Sequence, residues 1–347
     1  MNKNSIKIIE NIKRKIDFYL PQRLNQQKIK YFINKIKFNF DLNALNKNFN
    51  EPARDFLFRG GKRWRPILFL LTVKLFGKNY KKYLNIAAAI EIAHNATLII
   101  DDIEDNSLLR RNELTCHIKF GLDTALNTGI LLHFIPLKIL LKSNLPSKQL
   151  QKISSIYIEE IINVHFGQTI DIYWHKKFPQ NINISQYMEM CRLKTGGLVK
   201  MPLRIACALA QKNKNTERQL SHFGELIAIA FQIKDDVLDL IDNKNLGKTF
   251  GNDITEGKIS FPVILALKKL TSAKSKRLIQ ILKIHTRDKK LISEAIELIN
   301  KSGAIEESLK FANKLIDKAW QNIENILPQN STKEEFKKFI LSLTKRI

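Results

Sequence analysis

Three observations predict an all-helical fold. Apolar residues recur three and four positions apart far more often than in strict alternation, only 13 Gly and 9 Pro interrupt 347 residues, and long apolar runs are joined by short polar connections. Hydrophobic residues make up 44% of the chain, enough for a sizeable core, so the chain is globular.

Residues 1–50 are rich in Lys, Asn and Ile, carry no recognisable chemistry, and read as an N-terminal basic helical extension. No internal boundary divides 51–347, which reads as one domain. Pro52 and the Gly60-Gly61 pair punctuate the entry to the first long apolar helix, roughly Pro66 to Phe76. Helical patterns then cover roughly 81–106, 120–142, 147–174, 184–211, 216–242 and 259–271, with further helices to the C-terminus and connections such as Lys212–Thr216.

The formal net charge is +25. Clustered cations of that number would suit a nucleic-acid or anionic-membrane surface, but these lysines are spread along the chain among Ile and Asn, which points to compositional bias. No nucleic-acid partner is expected, while some of the charge can serve phosphorylated substrates. Cys116, Cys191 and Cys207 match neither a disulfide framework nor a zinc pattern and suit a reducing compartment. No run of about 18 uninterrupted apolar residues occurs, and Met1–Lys7 lacks the apolar core of a signal peptide, so a cytoplasmic protein without a transmembrane segment is expected.

Two acidic clusters carry the chemistry. Asp101, Asp102 and Asp105 end an apolar helical pattern beginning near Tyr83, and Asp235, Asp236 and Asp239 repeat the same spacing on a second, from about Phe223. Residues four apart share a helix face, and negative charge at a helix C-terminus opposes the dipole, so each cluster needs compensating cations. One such cluster has an even chance of being a solvated helix end; two of identical spacing are much harder to explain so. Hard oxygen ligands of this kind suit Mg2+ shared with phosphate oxygens, and hence a di- or polyphosphate substrate.

Cations accompany both. Arg110-Arg111 follows the first cluster and Gly60-Gly61-Lys62-Arg63-Trp64-Arg65-Pro66 precedes it; arginine forks and lysine ammonium groups could hold a diphosphate outside the metal cluster. For Gly60-Gly61-Lys62 a plain helix-start turn is the competing reading, and the spacing is not that of a P-loop. Lys194 in Lys194-Thr195-Gly196-Gly197, Lys248 in Gly247-Lys248-Thr249-Phe250 and Lys258 are individually weak signals. His94, two helical turns before Asp101, faces the same way, although a lone histidine there is more often a core residue.

Assembled in this order, the motifs resemble the trans-isoprenyl diphosphate synthases, the farnesyl and geranylgeranyl diphosphate synthase family. The resemblance runs from Glu51 through the helix after Pro262 and adds Gly167-Gln168-Thr169-Ile170-Asp171-Ile172-Tyr173-Trp174 and Phe231-Gln232 to the landmarks. Asp101 to Ser107 and Asp171 to Trp174 look most like the eukaryote-type geranylgeranyl diphosphate synthases. The resemblance implies an isoprenoid synthase fold, a single bundle of about ten or more helices around a central cavity, with 51–347 as a prenyltransferase catalytic domain.

It also implies roles. Asp101, Asp102, Asp105, Asp235, Asp236 and Asp239 hold about three Mg2+ ions around an allylic diphosphate, which Arg110, Lys194, Lys248 and Lys258 contact directly. Lys62, Arg65, His94 and Arg111 form the isopentenyl diphosphate site. Thr195 and Gln232 offer oxygen dipoles to the allylic cation and count, with Lys194, as catalytic residues. Small Ala96 and Thr97, where short-chain enzymes place an aromatic ring, form the floor of the chain-length pocket and favour a C20 product. A homo-oligomer, dimer or higher, is expected.

One departure stands out: after Arg110-Arg111 the family usually has Gly and, two residues on, Pro, whereas this chain has Asn112-Glu113-Leu114. The alternatives are a farnesyl or longer-chain polyprenyl synthase, with Phe134 or His165 among the residues that could close the pocket, and a non-catalytic prenyltransferase subunit. A terpene cyclase should lack Lys62 and Arg65, and a nucleic-acid-binding protein would need no paired acidic clusters.

Overall fold

The structure is a computed structural model, and it describes residues 3–33, 39–179, 181–241 and 251–344. Its helices are α1 (Lys3–Tyr19), α2 (Gln26–Phe32), α3 (Leu42–Leu45), α4 (Glu51–Phe58), α5 (Trp64–Leu75), α6 (Leu84–Glu104), α7 (Cys116–Phe120), α8 (Leu122–Leu141) and α9 (Ser147–Lys177). They continue with α10 (Ile184–Leu209), α11 (Lys214–Asp239), α12 (Asn252–Thr255), α13 (Phe261–Lys269), α14 (Ser272–Lys283), α15 (Lys289–Lys301), α16 (Ala304–Ile323) and α17 (Ser331–Thr344). The all-helical prediction holds, and the long elements lie within a few residues of the predicted ranges. α5 starts two residues before Pro66, because proline is tolerated anywhere in a first turn, where its missing N–H has no partner to lose.

The chain divides into two compact units, residues 1–157 with 205–211, and 158–204 with 212–347. At the heart of the first is α6, whose Ile86, Ala89, Ile90, Ala93, Ala96 and Ile99 are all buried and which packs against α8, α1 and α5. Ala125, Thr128, Gly129 and Leu132 form the inner seam of α8. At Gly129 a side chain would meet Ile100 Cδ1 at 2.6 Å, so glycine sets how closely α8 approaches α6. The opposite face of α8 exposes Leu122, Leu126, Ile130, Phe134 and Leu141. In α1, Ile8, Ile12 and Ile16 recur every fourth residue and are buried, so the basic N-terminal segment contributes an apolar stripe to this unit. The segment Tyr80–Glu104 and α8 are long and apolar enough to cross a membrane by length and composition, but most of the first is buried in the protein's own core.

After α6 the backbone turns sharply. Leu109–Arg110 and Glu113–Leu114 pair as antiparallel strands β1 and β2, the one sheet among the described residues. Arg111 and Asn112 at the turn have φ of 58° and 63°. A two-residue hairpin turn of this kind needs positive φ at both positions, and Asn is the non-glycine residue that tolerates it best. Asn112, standing where the family usually has glycine, adopts the positive φ that this turn needs. Arg59 Nη1, at the end of α4, donates to Leu114 O at 2.6 Å and holds the hairpin against that helix.

In the second unit α11 is central, packed on α16 and α13, with Leu220, Phe223, Ile227, Ala230, Ile233 and Val237 buried at helical spacing. Two glycines let α9 and α10 meet backbone to backbone. A Cβ on Gly167 would lie 2.3 Å from Lys194 N, and one on Gly197 would lie 2.9 Å from Glu160 O. A buried ionic network fixes the register: Glu160 accepts from Arg204 Nη1 at 2.6 Å and from Lys200 Nζ at 3.2 Å, and Lys200 Nζ is 3.5 Å from Glu225 Oε1 on α11. These ties lie within about three turns of Asp171, Lys194, Thr195 and Gln232 on the same helices.

Gly167→Ala is expected to destabilise the protein by about 1–3 kcal/mol, because the clash is with backbone and cannot be relieved by a side-chain rotation. Urea denaturation measures it; an unchanged midpoint would refute the close-approach argument.

Candidate active site

In the first unit the last turn of α6 places Asp101 and Asp105 one turn apart and turns Asp102 inward, where it is fully buried. A carboxylate so placed needs a cation. The hairpin returns Arg110 to supply it: Arg110 Nε and Nη2 lie 2.8 and 2.5 Å from Asp102 Oδ1, and Nη2 is 3.5 Å from Asp101 Oδ2. The compensation that the helix dipole demanded is thus local, coming from eight residues further on.

A second, purely cationic group lies in the same unit. Gly60 and Gly61, with φ of 105° and 104°, shape the loop before α5. Arg111 Nη1 donates to Gly60 O at 2.9 Å, and its guanidinium carbon lies 3.0 Å from where a Gly61 Cβ would stand. Arg65 stacks over Trp64 at 4.4 Å and its Nη1 lies 3.0 Å from His94 Nε2. Since arginine only donates, Nε2 is the acceptor and Nδ1 bears the proton of the neutral ring. Burial first, and then Arg65, Arg111 and Arg110, hold the imidazole well below its ordinary pKa. Its Nδ1 is buried without a hydrogen-bond partner among the described residues. Lys62 is exposed on the same loop. Ala96 is fully buried on α6, and Thr97 Oγ1 donates to His94 O at 2.8 Å, which leaves its methyl group as the other free face.

The second unit gathers another set. Lys194 Nζ on α10 is 2.5 Å from Asp171 Oδ2 on α9. Burial would raise the Asp171 carboxyl, but Lys194 and Lys258 hold it below its ordinary range. Thr195 Oγ1 donates to Gln232 Oε1 at 2.9 Å, and Gln232 Nε2 donates to Asp236 Oδ1 at 2.9 Å. Asp236 Oδ2 accepts from Tyr187 OH at 2.6 Å and from Phe261 N at 2.9 Å. Burial pushes Asp236 up to about 6 against those donors. Asp236 is thereby committed to holding α10, α11 and the start of α13, while Asp235 and Asp239 occupy the more open positions one turn apart.

Asp239 Oδ2 accepts from Asp253 N at 2.9 Å. Burial, and then the Asp239 carboxylate, raise Asp253 well above the ordinary carboxylate range, with Lys258 opposing. Lys258 Nζ lies 2.5 Å from Glu256 Oε2. Lys248 lies outside the described residues. Asp253 and Asp171 are the residues that the sequence reading missed as site members. Asp171 sat within a quoted motif without a role, and Asp253 lies 14 residues beyond Asp239, where no helical spacing announces it.

Among the described residues no three carboxylate, imidazole or thiol side chains converge on a point that could hold a metal by themselves. The donor set fits a hard cation shared with a substrate. Mg2+ takes one or two carboxylates and completes its shell with phosphate oxygens and water, and the Asp239 repulsion that adds to burial in raising Asp253 is what such an ion relieves.

A helical chain with two acidic helix ends of the same spacing, the first paired with Arg110 and the second in a unit that also carries Lys194 and Lys258, suits chemistry on diphosphates with a divalent metal. The sequence profile of the polyprenyl synthetase family matches residues 46–299. A short chain isoprenyl diphosphate synthase of Methanocaldococcus jannaschii is 38% identical over 72% of this chain and 76% of its own. A geranylgeranyl diphosphate synthase of Saccharolobus solfataricus is 33% identical over 90% and 95%, and a geranylgeranyl pyrophosphate synthase of Dictyostelium discoideum 32% over 84% and 93%. The solved structure of a geranylgeranyl pyrophosphate synthetase from Pyrococcus horikoshii superposes with a TM-score of 0.84 at 27% identity, covering 99% of this chain and 98% of that one. The chain belongs to the polyprenyl synthetase family and is a prenyltransferase.

Proposed function

We propose that the protein condenses isopentenyl diphosphate head to tail with an allylic diphosphate and releases geranylgeranyl diphosphate. The observation that carries this reading is the group of Arg65 on α5, His94 on α6 and Arg111 of the hairpin, which docks on the Gly60-Gly61 loop; it is an anion site without carboxylate ligands in a chain that also carries two acidic helix ends. An enzyme acting on one diphosphate needs only the acidic ends; a condensation needs both kinds of site.

Asp101, Asp105, Asp235, Asp239 and Asp253 are the residues assigned to Mg2+, which when bound supplies Lewis-acid stabilisation to the departing diphosphate. Arg110, Lys194 and Lys258 are assigned to the same diphosphate as fixed cations, aimed by Asp102, Asp171 and Glu256. Gln232 and Thr195 present amide and hydroxyl dipoles, locked by Asp236, to the carbocation left on the allylic carbon. The isopentenyl double bond attacks that carbon, and the released diphosphate accepts the final proton. No protein nucleophile takes part.

The C20 product is supported by the names of the relatives and by the small, buried Ala96 beneath the first acidic turn. The unbridged, buried thiols of Cys116, Cys191 and Cys207 support a reducing compartment such as the cytoplasm. A homo-oligomer is supported by the apolar stripe Leu122, Leu126, Ile130 and Phe134 on α8, each at least 43% exposed and thus open to a second copy.

The direct test is incubation with labelled isopentenyl diphosphate, each allylic starter in turn and Mg2+, with the products sized; a C20 alcohol after dephosphorylation is expected. Asp101→Ala and Asp235→Ala should each lower kcat by roughly 10²-fold or more with unchanged helicity by circular dichroism, and near-normal rates in both would sink the metal assignment. Ala96→Phe should shorten the product, and an unaltered product spectrum would place the pocket floor elsewhere. Sedimentation equilibrium is expected to give at least twice the 40.2 kDa chain mass, and a monomer would refute the assembly.

A further inference from the structure

Lys62, Arg63, Arg65 and Arg111 come together where the loop before α5 meets the hairpin, and cations so gathered repel one another. Among the described residues, a buried carboxylate stands with them. Glu91, on α6, is 2% exposed; its Oε1 accepts from Asn95 Nδ2 at 3.0 Å and lies 3.5 Å from Arg63 Nη1. Its Oε2 is buried with no hydrogen-bond partner among the described residues. Burial raises this carboxyl above its ordinary range, and Arg63, Asn95, Arg111 and Arg65 oppose that rise.

Arg63 itself is 3% exposed and is closed to a ligand. It has φ of 46°, a left-handed conformation that a non-glycine residue holds only when its surroundings impose it. The surroundings are Leu57 O, 2.6 Å from Nη2, and Glu91. Arg63 thus fastens the end of the Gly60–Lys62 loop to α4 and α6, and Arg111 docks on that same loop through Gly60 O. A buried ion pair is a poor source of stability, since desolvation offsets most of its attraction, so a positional role is the better account of its presence here.

We propose that Glu91, acting through Arg63, is a positioning residue for the anion site of Lys62, Arg65, His94 and Arg111. It is the internal counter-charge that keeps these cations assembled before a diphosphate arrives, and it does not touch that diphosphate. The inference rests on assigning isopentenyl diphosphate to this site.

Steady-state kinetics on the full chain tests it. Glu91→Gln keeps the volume and one accepting oxygen but removes the charge. It should raise KM for isopentenyl diphosphate about tenfold while kcat and the allylic KM stay within about twofold. Arg63→Gln should do the same, and the double variant should be no worse than either single one, because both cut the same tie. An unchanged isopentenyl KM in Glu91→Gln, or an equal loss for both substrates that follows the folded fraction, would overturn the proposal. Should Glu91→Gln not fold, Arg63→Lys carries the same expectation, and failure of both to fold would mark the pair as a stability element and overturn it too. Lys62→Ala is the control for the underlying assignment. If it leaves the isopentenyl KM unchanged, the site assignment fails; if it raises that KM while Glu91→Gln does not, this inference alone fails.

Discussion

Burying a carboxylate removes it from water, and the chain must then supply a cation or several donors in its place. Four carboxylates of this protein are almost wholly buried near its chemistry, and each has a different answer. Asp102 is met by the Arg110 fork, Asp171 by the Lys194 ammonium, Asp236 by three neutral donors, and Glu91 by Arg63 and Asn95. The hairpin after α6, the glycine contact between α9 and α10, and the left-handed residue before α5 are what bring those partners within reach. Take the partners away and the acidic helix ends would be expelled toward solvent or protonated.

Helix packing serves this constraint through small residues and buried ions. Gly167 lets the α10 backbone come close enough for Lys194 to meet Asp171, and Gly197 repeats the approach one turn along. The Glu160, Lys200, Arg204 and Glu225 network then sets how far each helix can slide, since its members sit on α9, α10 and α11. Of the 58 lysines and arginines, few are proposed for the chemistry, and Arg65, Arg110 and Lys194 among them are half-buried or buried while Lys62 is exposed. The remaining lysines, including those that pair with Glu306 and Glu297 on exposed helix faces, contribute little to stability and account for most of the net charge.

The sequence revealed what periodicity and spacing can carry. Long apolar helices announce themselves by their 3.6-residue repeat, and Asp101 with Asp105, or Asp235 with Asp239, share a face by local geometry alone. Arg110 and Arg111 were visible because they adjoin the first motif, and Lys62 and Arg65 because they stand in the run Gly60 to Pro66 at a helix start. What stayed hidden depends on chain reversal. Asp253 meets Asp239 from 14 residues further along the chain, and Asp171 gains its meaning from a lysine 23 residues away. Arg63 looked like one more member of a basic run until its burial and φ showed that it faces inward. The β1–β2 hairpin was missed because Arg111-Asn112 lacks the glycine by which such turns are usually recognised.

In the proposed reaction, the contrast between a metal-assisted anion site and a purely cationic one follows from what each diphosphate must do. An allylic diphosphate has to leave, so the charge that develops on it as the bond breaks must meet strong, fixed positive charge, and carboxylates that concentrate a divalent ion provide it. The diphosphate of isopentenyl diphosphate remains in the product, and a Lewis acid on it would only promote the wrong cleavage. Guanidinium groups, an ammonium and a neutral imidazole donor bind such a group without activating it. Their positive charges must still be kept side by side when no anion is bound. In the proposed arrangement the buried Glu91 does this while leaving the net positive potential that a diphosphate needs.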